Sequence, residues 1–138
     1  MTKRRVVITG LGAVSPFGVG VDKFWHSLVE GKSGISTSEL IDVSKHVVKI
    51  SGEVKNFNPE EYLDAKEAKK MDRFIQFAMI AADEAVKDAK LEEVNDVDPY
   101  KIGVVVSSAA GGFRTFEENH VRILEKGPNK CSPFTIPM

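Results

Sequence analysis

The chain has 138 residues, of which 42% are hydrophobic and 28% charged, a balance typical of a soluble globular domain that excludes a disordered or fibrous chain. Nineteen basic and twenty acidic residues give a net charge of -1, so the overall field predicts neither nucleic acid nor a membrane as a partner. With one cysteine and three scattered histidines, the sequence offers no disulfide framework and no metal site, and the cytoplasm is the expected compartment.

The N-terminal region predicts a strand, a glycine-rich loop and a short helix. Residues 4–9 form a β-branched run that predicts a buried strand of a parallel sheet. The following loop, Gly10-Leu-Gly12, resembles the start of a dinucleotide-binding motif, but Ser15 replaces the third glycine, which favours a tight turn with close backbone packing. Asp22 is a candidate N-cap for the helix, which ends at Gly31 and has the apolar face Phe24, Trp25, Leu28 and Val29.

The remainder of the chain predicts two longer helices and a second strand. Residues 33–59 are irregular, with short strands possible at 47–50 and 52–54. A helix over about 72–89 has an alanine-rich face suited to close packing. Residues 101–107 predict a second buried strand, and a helix is expected over 113–126. Alternating strands and helices indicate an α/β fold with a largely parallel sheet.

Two strands cannot complete such a sheet, and the chain ends in an apolar segment. We therefore expect part of a larger architecture. A small two-layer α+β domain is the alternative that composition leaves open.

Three features are candidates for function. Cys131 is the only thiol, but no histidine lies near it in the sequence, so a nucleophilic role is not favoured. Lys66, Lys69 and Lys70 share one face if residues 62–71 are helical; this face is either simply solvated or a docking patch for an acidic partner. The small residues of 107–112 form either a tight turn or a site of close approach by a ligand or subunit.

Four segments taken together resemble the N-terminal part of the β-ketoacyl-acyl-carrier-protein synthase II family. They are residues 4–18, Lys70-Met-Asp-Arg-Phe-Ile-Gln76, Glu117-Glu-Asn-His120 and Ser132-Pro-Phe134. The resemblance covers essentially the whole chain, 1–138, and about the first third of such an enzyme. It implies an incomplete first half of a thiolase-like fold, in which helices and sheets stack in α-β-α-β-α layers.

The resemblance also implies an activity for the parent enzyme. Such synthases transfer an acyl chain from acyl carrier protein to a cysteine and condense it with malonyl carrier protein after decarboxylation, in fatty-acid elongation. They use no metal or organic cofactor and are usually homodimers. The family's catalytic cysteine and two histidines lie beyond the position that matches Met138, so no catalytic residue is assigned to this chain and inactivity alone is expected.

The resemblance assigns secondary sites by position. Lys66, Lys69, Lys70 and Lys130 match bases that dock the acidic carrier protein, which favours the docking interpretation of the lysine face. Asn129 stands where the family often has arginine, so one contact is absent. Two small residues match positions that line the acyl pocket near the dimer interface: Ala110 and Thr135.

Two alternatives to an elongating enzyme stay open at this stage. One is a non-catalytic ketosynthase-like module that binds carrier protein or a full-length subunit, and the other is an unrelated structural α/β domain.

Overall fold

The computed structural model describes residues 3–94 and 97–135, and these residues contain four α-helices and four two-residue strands. The strands are β1 (Val14–Ser15), β2 (Gly18–Val19), β3 (Ser36–Thr37) and β4 (Ile50–Ser51); the helices are α1 (Val21–Val29), α2 (Ala65–Ala68), α3 (Arg73–Asp88) and α4 (Phe113–Lys126). Short 3-10 turns span Pro59–Glu61, Leu91–Glu93, Pro99–Lys101 and Pro128–Lys130. Within these described ranges, no helix is long and apolar enough to cross a membrane.

The chain forms two compact units, one from Met1–Phe57 and Ile80–Asp98 and the other from Asn58–Met79 and Pro99–Met138. The first unit contains two antiparallel strand pairs, β1 with β2 and β3 with β4. In the first pair Val14 lies opposite Val19, and β2 leads into α1 through Gly20. Of the two possible short strands, the one at 47–50 overlaps β4 only at Ile50 and the one at 52–54 is not formed, whereas the β1–β2 hairpin was not predicted.

The glycine-rich loop of the first unit packs directly against α3. A Cβ atom on Gly10 would overlap the carbonyl oxygen of Ala85, and one on Gly12 would overlap the carbonyl oxygen of Ala81. Two predictions are therefore confirmed: the close backbone packing at these glycines, and the close packing of another segment against the alanine-rich face of α3. The room that a bound nucleotide would need beside the two glycines is filled by helix backbone.

The two predicted buried strands are not formed. Residues 4–9 and 101–107 contain no strand, and their valines are exposed, with Val6 at 92% and Val105 at 95%. A strand of a parallel sheet needs a hydrogen-bonded neighbour that is distant in sequence. Among the described residues neither segment has such a neighbour, so the prediction of burial is wrong for this chain.

Helix α1 differs from expectation at its start and on its face. The N-cap is Gly20, and Asp22 lies inside the first turn, so the predicted N-cap is wrong. The helix does end where predicted, because Gly31 takes a left-handed φ of 67°. Its buried residue is Ser27, while Trp25 stays 62% exposed.

The two longer helices match their predictions closely. Helix α3 spans Arg73–Asp88, within one residue of the expected bounds, and α4 spans Phe113–Lys126 with Gly127 as its C-cap. On α4, however, the apolar Phe116 is 65% exposed and the buried residue is Asn119. Local periodicity therefore located both helices, but it did not identify the buried face of α4.

Candidate functional site

The three neighbouring lysines lie in a tight helical turn of the second unit, residues 64–71, which we call the lysine turn. Only Ala65–Ala68 is α-helical, so the helix is shorter than the 62–71 considered from sequence. Asp64 caps it, because its Oδ1 accepts hydrogen bonds from the Lys66 N–H at 2.9 Å and the Glu67 N–H at 3.1 Å. Lys66, Lys69 and Lys70 are all exposed.

The lysine turn retains positive charge that is not paired. Lys70 forms an ion pair with Glu67, with 2.6 Å between its Nζ and Oε1, while the Asp64 carboxylate is occupied by backbone N–H groups. Within residues 3–94 and 97–135, no carboxylate forms an ion pair with Lys66 or Lys69. These two ammonium groups are therefore available to an anionic partner.

The backbone of the lysine turn is anchored from α3. The Gln76 side-chain amide donates to the carbonyl of Ala68 at 2.9 Å and to that of Met71 at 3.2 Å. Ala68 itself is buried, with 3% of its surface exposed. The exposed lysines therefore project from a fixed backbone.

Lys130, the fourth predicted docking residue, is exposed at the end of the 3-10 turn Pro128–Lys130 in the same unit. Its N–H donates to the carbonyl of Gly127, the C-cap of α4, at 3.1 Å. Neighbouring Asn129 is also exposed.

The two predicted pocket residues occupy different local environments. Ala110 is exposed in a bend beside Gly111, whose N–H donates to the Ser108 hydroxyl at 3.0 Å. Thr135 is half-buried, and its hydroxyl donates to the Ser132 carbonyl at 2.7 Å. The hydrogen bonds of Thr135 stay within its own turn, so the role of both residues as pocket lining stays a prediction.

The only thiol shows no sign of activation. Cys131 is exposed, and its sulfur lies 3.5 Å from the Thr135 hydroxyl and 3.7 Å from the Ser132 carbonyl. Neither oxygen is a base that could deprotonate a thiol. His26 sits on α1, where its Nδ1 lies 2.8 Å from the Asp22 carbonyl oxygen. In the described part of the chain, no three His, Cys, Asp or Glu residues form a group able to hold a metal ion.

Sequence reasoning missed a partly buried polar connection in the second unit. The Thr115 hydroxyl of α4 donates a hydrogen bond to the Asp72 carboxylate. Asn119, 6% exposed, donates to the Thr115 carbonyl at 2.8 Å and accepts from the Ser132 N–H at 3.1 Å. The only trace of it in the sequence was Asp72, a residue type that is common at the N-cap of a helix.

A second missed cluster lies in the first unit around Glu53. Its carboxylate accepts hydrogen bonds from the Ser38 hydroxyl, from the Ser51 hydroxyl at 2.9 Å and from the Glu39 N–H at 2.9 Å. These donors, the Ser38 hydroxyl foremost, lower the pKa of Glu53 to about 2. The cluster joins the segment that follows β3, with Ser38 and Glu39, to Glu53, which follows β4.

Solved structures with the same fold define the class of protein. The ishigamide ketosynthase/chain length factor superposes with a TM-score of 0.76 at 26% identity, covering 98% of this chain and 34% of that one. A ketosynthase solved in complex with its type II PKS acyl-carrier protein gives a TM-score of 0.73 at 23% identity, over 96% of this chain and 35% of that one. The fold is therefore the N-terminal α/β part of a thiolase-like ketosynthase.

Residues 3–138 match the family described as "Beta-ketoacyl synthase, N-terminal domain", and the chain belongs to this family. A curated relative, 3-oxoacyl-[acyl-carrier-protein] synthase 2 of Staphylococcus aureus strain N315, is 48% identical over 135 residues, which are 98% of this chain. The chain spans about a third of that relative, 32% of its length. Family membership removes the unrelated structural domain from consideration.

Proposed function

We propose that the chain is the N-terminal segment of a 3-oxoacyl-[acyl-carrier-protein] synthase that elongates fatty acids. The observation that carries this proposal is the 48% identity to a synthase of that name over 98% of the chain. In the complete enzyme, a cysteine thiolate takes the acyl group from its carrier thioester and releases the carrier thiol. Malonyl carrier protein then loses carbon dioxide, and the resulting enolate attacks the acyl-enzyme to give the 3-oxoacyl product and the free cysteine.

In this scheme the chain supplies recognition and not chemistry. No catalytic residue is assigned to it, and the segment alone is expected to be inactive. We further propose that the complete enzyme is a cytoplasmic homodimer without a metal or organic cofactor, as the family resemblance implies.

The acidic carrier protein is the partner that fits the lysine turn. Lys66 and Lys69 are exposed and unpaired among the described residues, and the turn that carries them is fixed by Asp64 and Gln76. Fixed positive charges accelerate the encounter with an acidic partner and make binding sensitive to salt. Lys130 adds a further exposed cation in the same unit.

Charge reversal tests this docking surface. In the complete synthase, the triple variant Lys66→Glu/Lys69→Glu/Lys70→Glu should weaken carrier-protein binding at least roughly tenfold and flatten its dependence on salt. Surface plasmon resonance at several salt concentrations measures both effects. Lys87→Glu, compared with the single variant Lys69→Glu, is the matched control, because Lys87 is an exposed lysine of α3 already paired with Asp83 at 2.6 Å. Equal losses from these two single variants would contradict the proposal.

We also propose that Ala110 and Thr135 line the acyl pocket of the complete enzyme. Their small side chains would leave room for a longer or branched acyl chain than isoleucine or phenylalanine would. Ala110→Ile should therefore shift the preference of the synthase towards shorter acyl chains, as measured by product profiling. An unchanged profile would remove this assignment.

A non-catalytic ketosynthase-like module is the second candidate, because no catalytic residue is assigned to this chain and its lysine turn would bind carrier protein in either case. Condensing activity of the protein purified from its natural source would decide in favour of the enzyme.

A further inference from the structure

We propose that Thr115 and Asp72 are positioning residues that hold the lysine turn and Lys130 in one fixed arrangement for the carrier protein. This inference rests on the proposed docking function. It concerns residues that carry no positive charge and to which no docking role was assigned. The structure supports it through a continuous path of hydrogen bonds within the second unit.

The path begins at the lysine turn. Asp72 directly follows this turn, and its main-chain carbonyl accepts from the N–H groups of Ile75 at 3.0 Å and Gln76 at 3.1 Å. Gln76 in turn binds the carbonyls of Ala68 and Met71. Asp72 is therefore linked through Gln76 to the backbone of the lysine turn.

The path reaches α4 from Asp72, the residue before α3, through side chains. The carboxylate of Asp72 accepts from the hydroxyl of half-buried Thr115. One turn later on α4, the Asn119 side chain donates to the Thr115 carbonyl at 2.8 Å. Asn119 is the buried residue of this helix, so the face that α4 buries is the one that carries the path.

The path ends beside Lys130. Asn119 accepts from the Ser132 N–H at 3.1 Å, two residues after Lys130. On the other side, the Lys130 N–H binds the carbonyl of Gly127 and the Gly127 N–H binds the carbonyl of Ile123 at 2.9 Å. Lys130 is thus tied to α4 on both sides.

The arrangement has a consequence for binding. A partner that contacts several cations at once binds more tightly when their spacing is set beforehand, since less conformational freedom is lost on association. The hydroxyl of Thr115 is the one side-chain donor in this path that joins α4 to Asp72. Removing it leaves every lysine side chain unchanged but should loosen the spacing between the lysine turn and Lys130.

The experiment compares Thr115→Val, which removes the hydroxyl at nearly constant volume, with Thr115→Ser, which keeps it. In the complete synthase, Thr115→Val should raise KM for the acyl-carrier-protein substrate roughly threefold to tenfold, the range that one hydrogen bond supports. The kcat, and the KM for a carrier-free acyl pantetheine thioester, should not change. Thr115→Ser should restore the wild-type KM. Thr37→Val, an exposed threonine of β3, is the matched control and should have no effect.

A merely structural role would raise KM for both thioesters together, and that result would overturn the inference. If Thr115→Val fails to fold, Thr115→Ala also removes the hydroxyl and places no methyl group against the Asp72 carboxylate. In a Lys130→Ala background the effect of Thr115→Val should shrink, because one of the two positioned groups is gone. If the lysine reversals raise KM but Thr115→Val does not, only the positioning role fails. If the lysine reversals change nothing, the docking function itself fails.

Discussion

Glu53 shows how one carboxylate can organise an irregular region. Residues 36–55 contain only the two-residue strands β3 and β4, which are too short to be stable alone. Glu53 compensates by accepting hydrogen bonds from donors on both sides, of which Ser38 is 8% exposed. Because all these donors favour the ionised form, the pKa of Glu53 falls to about 2 from an ordinary value of 4.5.

This depressed pKa predicts a specific dependence on pH. The contribution of Glu53 to stability is fully present above pH 4.5 and is lost as the pH falls towards about 2. Carbon NMR of the side-chain carboxyl should show titration near the lower value. Ser38→Ala removes the strongest donor and should raise the pKa of Glu53 towards its usual range. Titration at the ordinary value in the unmodified chain would contradict this account.

At the scale of elements, α3 organises much of the first unit. The Glu84 carboxylate accepts from the Val21 N–H at 2.8 Å and the Ala13 N–H at 2.9 Å. It thereby caps α1, whose own N-cap, Gly20, has no side chain to do so. One turn later Asp88 accepts from the Leu11 N–H at 2.9 Å. The glycine-rich loop is therefore held to α3 by hydrogen bonds as well as by close packing.

The close packing predicts that Gly12 tolerates no side chain. Gly12→Ala would force a methyl group against the carbonyl of Ala81, and overpacking of this kind lowers the free energy of unfolding by about 1–3 kcal/mol. Urea denaturation of the chain measures the change. Gly103→Ala is the control, because a Cβ there meets nothing within 4 Å, and it should leave stability within about 0.5 kcal/mol. Equal stability of the two variants would show that the loop does not pack as described.

The elements also show which parts of the structure the sequence could predict. Helices α3 and α4 were located closely because their hydrogen bonds are local and their apolar residues recur every three or four positions, and Gly127 marks the end of α4. Residues 4–9 and 101–107 were misassigned because a parallel strand depends on partners that no local pattern reports. The lysine turn was recognisable from its spacing. Its anchors, Gln76 and Thr115, were not, since long-range side-chain hydrogen bonds leave no periodic trace.

For the whole molecule, the net charge is nearly zero but the charges are unevenly distributed over the surface. The net charge of -1 conceals the unpaired cations of the lysine turn, which lie in the second unit. Exposed apolar residues are spread along both units, among them Val6 at 92% and Val104 at 83%. Valines this exposed would gain free energy by packing against further protein, and the chain spans 32% of its curated relative.

The exposed segments 4–9 and 101–107 predict that the isolated chain associates with itself. Among the described residues, the backbone of 4–9 makes no hydrogen bond, and unpaired backbone with apolar side chains promotes pairing between chains. Val6→Lys/Val105→Lys should therefore shift the chain towards monomer, as measured by sedimentation velocity over a range of concentrations. Val29→Lys is the single-site control, because Val29 is 70% exposed but lies in a helix whose backbone is already hydrogen-bonded. Each lysine of the double variant, introduced singly, should reduce association more than Val29→Lys does. Equal effects would show that association depends on apolar surface in general and not on segments 4–9 and 101–107.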